Sequence, residues 1–281
     1  MTIVTVNYVM SSNPIPHKSE QLFYVQVDSF DLISQGEDNT EPPDQLTYLD
    51  AMALIKADKA YRQVASNRSG LVLEPPGEDE RPFSVSSRNT MADFFPMFDL
   101  NFMYGSGWDE SADVNLERVV VLSKEINERV FGGEDSVGRQ VRMNGMDFQV
   151  VGVLDEFLPV PKFYDVTNDP FGEAEEVYIP FSIGVEYELP RYGNTNCWKM
   201  PDGDGHEAFL NSECIWIQFW AELRNEAEKQ DYISFLNAYV EQQKEMGRFP
   251  RPMNNQLSDV MEWMENQEVV EDDAQVMLGL S

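Results

Sequence analysis

Residues 118–154 constrain the fold of this chain more than any other stretch, because they contain several consecutive structural signals. Val119–Leu122 is a short β-branched run, which is typical of a buried strand. The hydroxyl of Ser123 can then accept a hydrogen bond from a free backbone N–H and begin a helix. Gly132 and Gly133 can end that helix, because glycine readily adopts the left-handed conformation of a C-terminal cap. The first half of the stretch therefore predicts a strand followed by a helix.

The second half of the stretch predicts a β-hairpin. Two segments, Gln140–Met143 and the strongly apolar 147–154, flank Asn144 and Gly145. Asn-Gly is a strong hairpin signal, because a type I′ turn needs positive φ at both of its central residues.

The charge of the chain restricts its partners. Of its 281 residues, 50 are acidic and 20 are basic, so the net charge is −30. Nucleic acids and anionic membrane surfaces are bound through patches of Lys and Arg. We therefore expect neither as a partner. The 42% hydrophobic content still allows a sizeable core, in one large domain or two modest ones.

The rest of the chain predicts a mixture of strands and helices. Apolar alternation predicts strands at 21–30, 59–73 (interrupted at 67–70), 83–87, 176–181 and 214–223. Capping and apolar spacing predict helices at 44–57 (with Asp44 as N-cap), 90–98, 225–246 and 257–266. Pro180 suggests that the 176–181 strand lies at an edge or ends there. The β-α-β pieces near both ends can form one lobe, with the central part inserted.

One segment resembles the start of a calcium-binding loop. Asp202, Asp204 and Glu213 stand at the first, third and twelfth positions of such a loop. The sixth position is Glu207 instead of the required glycine, and a strand follows instead of a helix. A solvated turn is the simpler interpretation, and these three residues are only weak metal candidates.

No catalytic or cofactor motif is present in the sequence. The histidines are His17 and His206, and no Cys-x-x-Cys, Gly-x-Ser-x-Gly or Gly-Lys-Ser/Thr sequence occurs. Asp155 and Glu156 follow a predicted strand end, where glycosidase acids can lie, but adjacent acids are common by chance in so acidic a chain. We therefore predict no catalytic residue, no cofactor and no ATP site.

Two motifs in a fixed order carry a resemblance to a known family. The downstream motif comprises Val119–Leu122 with Ser123, then residues 130–132, 137–139, 143–145 and 148–154. Its predicted structural positions are Phe131, Gly132, Val137, Gly138, Asn144, Gly145, Val151 and Gly152. The upstream motif comprises residues 85–89, 93–95 and 98–105. Together they resemble the periplasmic core domain of MacB-type ABC transporter permeases.

The resemblance implies a fold and a domain layout. The fold would be α/β (mixed α+β) and two-lobed. Residues 1–100 plus 214–281 would form a porter-like β-α-β lobe adjoining the membrane. Residues 101–213 would form an inserted, mostly-β lobe that contains the strand-helix-hairpin stretch.

The resemblance also implies a function. The chain would be a non-catalytic, extracytoplasmic (periplasmic) domain of an inner-membrane ABC transporter permease, itself soluble. It would couple ATP-driven motion of transmembrane helices to efflux of a substrate or to signalling. The implied partners are an ABC ATPase subunit, separate or fused, a second permease copy in a dimer, and a periplasmic adaptor protein.

Both ends of the chain are apolar, at residues 3–10 and 276–280. No segment reaches the ~20 apolar residues that span a bilayer, and residues 1–10 do not form a signal peptide. The resemblance implies that the ends are the water-side ends of two transmembrane helices. An edge strand and a short docking helix are the alternative.

Cys197 and Cys214 are the chain's two cysteines. Their positions alone leave open a disulfide or two separate buried thiols. The periplasmic location that the resemblance implies favours the disulfide.

Two other functional classes stay open at this point. A secreted calcium-dependent binding module would be stabilised by calcium. A secreted carboxylate-using hydrolase would bring two carboxylates together in a cleft and raise the pKa of one. The aromatic residues Tyr187, Tyr192 and Trp198 either pin a long loop to its own core or contact a partner.

Overall fold

The chain contains two compact units. The computed structural model describes residues 13–32, 40–77 and 81–270. Unit 1 comprises Met1–Gln63, Pro159–Gly172 and Asn194–Ser281, and unit 2 comprises Val64–Leu158 and Glu173–Gly193.

The boundaries of the two units differ from the predicted lobe boundaries, which lay after residues 100 and 213. The first lies after Gln63, because the strands that follow pair with the sheet of the central stretch. The last lies after Gly193, and Pro159–Gly172 returns to unit 1. Sequence patterns do not reveal these limits, because they depend on which distant strands pair.

Unit 1 is built around an antiparallel sheet. Its strands are β1 (Leu22–Gln26), β2 (Leu46–Thr47), β10 (Ile215–Glu222) and β11 (Gln256–Asp259). Its helices are α1 (Tyr48–Ala57), α6 (His206–Leu210), α7 (Glu226–Glu245) and α8 (Val260–Asn266), with 3-10 turns at Ser19–Gln21 and Phe163–Asp165. β1 pairs with both β10 and β11, and β2 pairs with β10.

Local capping explains where the helices of unit 1 begin and end. The side chain of Asn225 accepts a hydrogen bond from the N–H of Glu228 and caps α7, as predicted. Gly247, at φ +80°, follows this helix. The prediction that Asp44 caps α1 is wrong: Thr47 takes that role, because β2 occupies the residues immediately before the helix.

The last predicted helix, 257–266, is only partly correct. Its first residues pair with β1 as the strand β11. The helix begins afterwards with a capping box, in which the Asp259 side chain accepts from the N–H of Glu262 and the Glu262 side chain accepts from the N–H of Asp259. Pairing with a distant strand therefore overrides helical spacing over these residues.

Unit 2 contains a mixed sheet. Its strands are β3 (Arg62–Glu74, which begins in the last residues of unit 1's first segment), β4 (Phe83–Thr90), β5 (Phe102–Gly105), β6 (Val119–Leu122), β7 (Gln140–Met143), β8 (Met146–Leu154) and β9 (Val177–Pro180). Its helices are α2 (Phe94–Met97), α3 (Glu110–Val114), α4 (Lys124–Phe131) and α5 (Phe181–Glu186). The pairings run β3-β4-β9-β6-β8-β7 and return to β3, while β5 extends the sheet from β8.

The central stretch folds as its sequence predicts. Ser123 Oγ accepts from the N–H of Ile126 at 3.3 Å and caps α4. Gly132 ends this helix at φ +68°. Asn144 and Gly145 both have positive φ, +48° and +76°, and connect β7 to β8. These elements depend on interactions within a few residues of sequence.

The structure decides two further predictions about strands. The predicted interruption at 67–70 is wrong, because β3 is continuous and pairs with β4 from Asn67 to Leu73. For Pro180 the sequence left two alternatives, an edge strand or a strand end. The second is correct: β4 and β6 lie on the two sides of β9, and Pro180 is its last residue, directly before α5.

Gly152 shows how tightly unit 2 is packed. An added Cβ would lie 2.4 Å from the carbonyl oxygen of Ser106 and 2.8 Å from Cε1 of Phe102. We expect Gly152→Ala to lower the free energy of unfolding by about 1–3 kcal/mol, because the backbone would have to shift. Urea denaturation followed by circular dichroism would measure this. Gln149→Ala, at an exposed position of β8, is the control and should have little effect; equal stability of both variants would contradict the packing argument.

Candidate functional site

Arg248 forms a junction of distant segments in unit 1. Its guanidinium donates to the Asp50 carboxylate, at 2.9 Å (Nη1–Oδ1) and 3.3 Å (Nη2–Oδ2). It also donates to the Glu213 carboxylate, at 2.9 Å (Nε–Oε1) and 3.0 Å (Nη2–Oε2), and to Gln243 Oε1 at 2.7 Å. Each carboxylate has two contacts with the guanidinium, which fix both its distance from Arg248 and its orientation. We call Arg248, Asp50, Glu213, Gln243 and Tyr239 the Arg248 junction.

Tyr239 completes this junction. Its hydroxyl donates to Asp50 Oδ1 at 2.6 Å. Burial, followed by the charge of the Asp50 carboxylate, raises the pKa of Tyr239, so the donated proton is retained. Burial alone would lower the pKa of Arg248, but its hydrogen bond to Glu213 and the charge of Asp50 outweigh this and raise it. Tyr239 therefore keeps its proton, and Arg248 keeps its positive charge, at physiological pH.

The cysteine loop adjoins this junction. Cys197 and Cys214 are joined by a disulfide in the structure, and Cys214 follows Glu213 directly. The aromatic ring of Trp198 packs edge-on against Phe30, with 4.8 Å between the ring centroids. The loop is thus attached to unit 1 by the disulfide, which lies directly before β10, and by the contact of Trp198 with Phe30.

The weak calcium candidates are not brought together. Asp202 is exposed and lies 3.7 Å from the Lys199 ammonium group, while Glu213 is bound by Arg248. Asp204 is also exposed, and α6 follows it closely. Within residues 13–32, 40–77 and 81–270, no three His, Cys, Asp or Glu side chains form a group that could hold a metal ion.

Two charge pairs among the described residues are completely buried, one in each unit. In unit 2, the Arg88 guanidinium donates to the Glu175 carboxylate. In unit 1, Lys162 Nζ lies 3.8 Å from Asp165 Oδ2. No sequence motif marks these residues or Arg248, because each pair depends on tertiary packing. Separating the two partners of such a pair would leave an uncompensated buried charge. We therefore interpret both pairs as structural and not as reactive groups.

The side chain of Asp113 in unit 2 is a carboxyl group with a raised pKa and two hydrogen bonds within the chain. Its Oδ1 accepts from the indole N–H of Trp108 at 3.0 Å, and its Oδ2 accepts from the N–H of Ala92 at 2.9 Å. Burial raises the pKa of Asp113 to about 6, and the charges of Asp93 and Glu110 add to this increase. Since both oxygens bind residues of the chain itself, the carboxyl fastens the 92–113 segment.

We expect the indole N–H resonance of Trp108 to shift with a midpoint near pH 6, because its hydrogen-bond acceptor is then protonated. A folded-state pKa above the ordinary 3.8 means that the folded chain binds this proton more tightly than the unfolded chain. The contribution of Asp113 to stability therefore rises as the pH falls from about 6 to about 4. A ¹⁵N-¹H titration measures the shift. Asp113→Asn should abolish it, and a midpoint near 4 would contradict the burial argument.

The carboxylates Asp155 and Glu156 do not form a recognisable acid pair. Both are exposed at the end of β8. The main-chain N–H of Asp155 donates to the carbonyl oxygen of Asn101. This hydrogen bond continues the pairing of β5 and β8.

The aromatic residues of the long loop differ in their surroundings. Trp198 packs on Phe30, so it pins the loop. Tyr192 is 55% exposed, and its ring lies against Gly70. Tyr187 is 45% exposed, after the end of α5.

The motif residues of the central stretch serve the fold of unit 2. Phe131 is buried in its core, and Val137 lies close to Gly105. Gly138 adopts φ +85°. Val151 accepts from the N–H of Ser106 through its carbonyl oxygen, at the join of β8 and β5.

The apolar ends, residues 3–10 and 276–280, lie outside the described residues. Among the helices that are described, none is both long and apolar enough to cross a bilayer.

The sequence matches a known family over most of its length. Residues 1–228 match the MacB-like periplasmic core domain. The chain belongs to this family. It is therefore a periplasmic or extracellular domain of a MacB-like ABC transporter permease, a class of non-catalytic transporter domain. The family and the mixed α+β fold that the two sequence motifs implied are confirmed.

The chain is similar to several solved structures, and the first of them supports the fold. The periplasmic region of MacB from Actinobacillus actinomycetemcomitans is 14% identical, covers 92% of this chain and 97% of its own, and has a TM-score of 0.55. The extracellular domain of the ABC-type transporter YknZ from Gram-positive bacteria is 16% identical, covering 85% of this chain and all (100%) of its own, at a TM-score of 0.48. A domain of a permease protein from Porphyromonas gingivalis is 14% identical, covers 86% of this chain and 91% of its own, and has a TM-score of 0.49. No curated protein matches the sequence.

Proposed function

We propose that this MacB-like domain transmits ATP-driven motion of transmembrane helices to an exported substrate or to a signal. Its partners would be an ABC ATPase, fused or separate, a second permease copy and a periplasmic adaptor protein. ATP hydrolysis would occur outside this chain, and the two apolar ends would continue into transmembrane helices of the inner membrane.

The Arg248 junction is the observation that carries this proposal. Asp50, Glu213 and Arg248 come from separate parts of unit 1, and Asp50 and Arg248 are 198 residues apart in sequence. A unit that connects both chain ends to a moving membrane part must keep its shape while it moves. One arginine that binds two carboxylates at four short distances resists relative movement of these segments.

Spin-label distances in the full-length permease with its ATPase test the proposal. Introduced cysteines at Lys56 and Glu241, both exposed in unit 1, give a distance within one chain. A single label at Glu241 gives a distance between copies. Binding of ATP should change the second distance and leave the first unchanged. A change within unit 1 alone would overturn the proposal, as would no change in either distance.

The gene sequence beyond both ends gives an independent test of the membrane attachment. Runs of about 20 apolar residues adjoining Met1 and Ser281 are expected. A signal peptide before Met1 and a stop codon after Ser281 would refute it.

A further inference from the structure

The outer edge of β3 in unit 2 is only partly covered. β7 pairs with only two of its residues, Leu73 and Glu74. The preceding position, Val72, is occupied by Asn144 of the hairpin turn. The N–H of Val72 donates to Asn144 Oδ1 at 2.7 Å, and its carbonyl oxygen accepts from the N–H of Asn144 at 2.9 Å. The turn thus covers one end of the edge.

A second segment covers the other end. The N–H of Tyr192 donates to the carbonyl oxygen of Arg68 at 2.9 Å. The hydroxyl of Ser69 donates to the carbonyl oxygen of Pro190 at 2.7 Å. Gly70 lies between the two covered ends, and no residue in the described part of the chain pairs with it along this edge.

The backbone N–H and C=O groups of Gly70 point away from β4, toward the uncovered side of β3. Gly70 lies opposite Ser86 of β4. The N–H of Ser86 donates to Glu176 Oε2 at 2.7 Å, and its carbonyl oxygen accepts from the N–H of Glu176 at 3.1 Å. Ser86 therefore directs both groups away from β3, so Gly70 and Ser86 form a pair without mutual hydrogen bonds. The N–H and C=O of Gly70 consequently point outward, as those of Val72 do.

A groove of about 440 Å³ surrounds this position. Its floor includes the small residues Ser84 and Ser86, and its wall includes Tyr192 and Val72, which are 55% and 45% exposed. Gly70 has no room for a side chain there, because a Cβ would lie 2.2 Å from Cε2 of Tyr192. The edge is thus accessible through its backbone, beside an exposed aromatic ring.

We propose that this groove binds an extended, positively charged peptide segment of a partner protein. One residue of the peptide would donate its N–H to the Gly70 carbonyl and accept from the Gly70 N–H, as an added strand does. Its neighbouring side chains would contact Tyr192 and Val72. A free donor and a free acceptor on one residue match a peptide backbone, since a peptide residue carries both groups.

Charge favours a basic peptide. The chain has 50 acidic and 20 basic residues, and its field attracts cations. The groove is lined by one acidic residue, Glu176, and one basic residue, Arg68, so the attraction comes from the net negative charge of the chain. The covering segments at Arg68 and Val72 limit the added strand to a short stretch, so a short segment fits better than a long strand. Peptide binding at this groove would be independent of the proposed coupling function.

A phage-displayed library of random peptides, panned on the immobilised chain, tests the proposal. We expect enriched peptides to be rich in Lys and Arg and to shift the amide resonance of Gly70 in ¹⁵N-labelled chain. Methylation of the peptide nitrogen that pairs with Gly70 should weaken binding about tenfold, since it removes one hydrogen bond. Absence of enrichment, acidic peptides, or an unmoved Gly70 resonance would overturn the proposal.

A matched pair of variants locates the site. Ser84→Val fills the groove floor with a side chain that suits a strand, and we expect it to weaken the selected peptides about tenfold. Gln149→Val adds the same side chain at an exposed position of β8 that does not line the groove. It should leave affinity unchanged. Equal effects of the two variants, or none for Ser84→Val, would place the peptide elsewhere.

Discussion

Replacing Arg248 by methionine is expected to lower the free energy of unfolding by about 3–5 kcal/mol. The reason is the carboxylate of Asp50, which is fully buried and loses its cation. Glu213 loses two hydrogen bonds at the same time. Methionine retains much of the apolar contact of the arginine stem, so the loss reports mainly on the charge contacts. Urea denaturation monitored by tryptophan fluorescence measures the change.

Arg142→Met is the matched control. Arg142 also contacts two carboxylates, of Asp147 at 3.1 Å and of Glu74 at 3.4 Å, but its side chain is 49% exposed. Solvent screens such contacts, so we expect a loss of about 0–1 kcal/mol. If Arg248→Met fails to fold, addition of Asp50→Asn should restore part of the stability, because the unpaired charge is removed. Similar losses for Arg248→Met and Arg142→Met would show that the junction contributes little.

Removal of the disulfide by the double change Cys197→Ser, Cys214→Ser is expected to cost about 3 kcal/mol. The bond closes a loop with a sequence separation of 17 residues, and closing it limits the conformations of the unfolded chain. The effect should appear as a lower melting temperature. Treatment of the unchanged chain with dithiothreitol should lower its melting temperature similarly, whereas the double variant should not respond.

A thiol titration decides whether the bond forms. The denatured, unreduced chain should contain no free thiol. Two free thiols per chain, together with a melting temperature insensitive to dithiothreitol, would show that Cys197 and Cys214 are separate thiols.

The interpretation of the central stretch from sequence was accurate because its signals are local. Ser123, Gly132 and the Asn144-Gly145 turn act on backbone groups no more than a few residues away. Such interactions are nearly independent of the rest of the fold. The same holds for Asn225 and Gly247, which limit α7.

Sequence reasoning failed where a distant strand competes with local preference. The residues of β11 have helical spacing, but β1 pairs with them. The 67–70 segment of β3 contains residues that disfavour a strand, yet β4 pairs with it throughout. Thr47 caps α1 because β2 ends there, beside β10. In each place, hydrogen bonds to a partner far away in sequence outweigh the weaker local propensity.

The sequence by itself therefore determined the strand-helix-hairpin stretch, the limits of the longest helix and, through two ordered motifs, the family. Only the tertiary structure decided which charges are buried together and which strand edge is left uncovered. Arg248 binds Asp50, which is 198 residues away in sequence. Among the described residues, none pairs with Gly70 along this edge, which lies between the positions that Tyr192 and Asn144 cover. Contacts of this kind depend on the packing of complete elements, so no short sequence pattern encodes them.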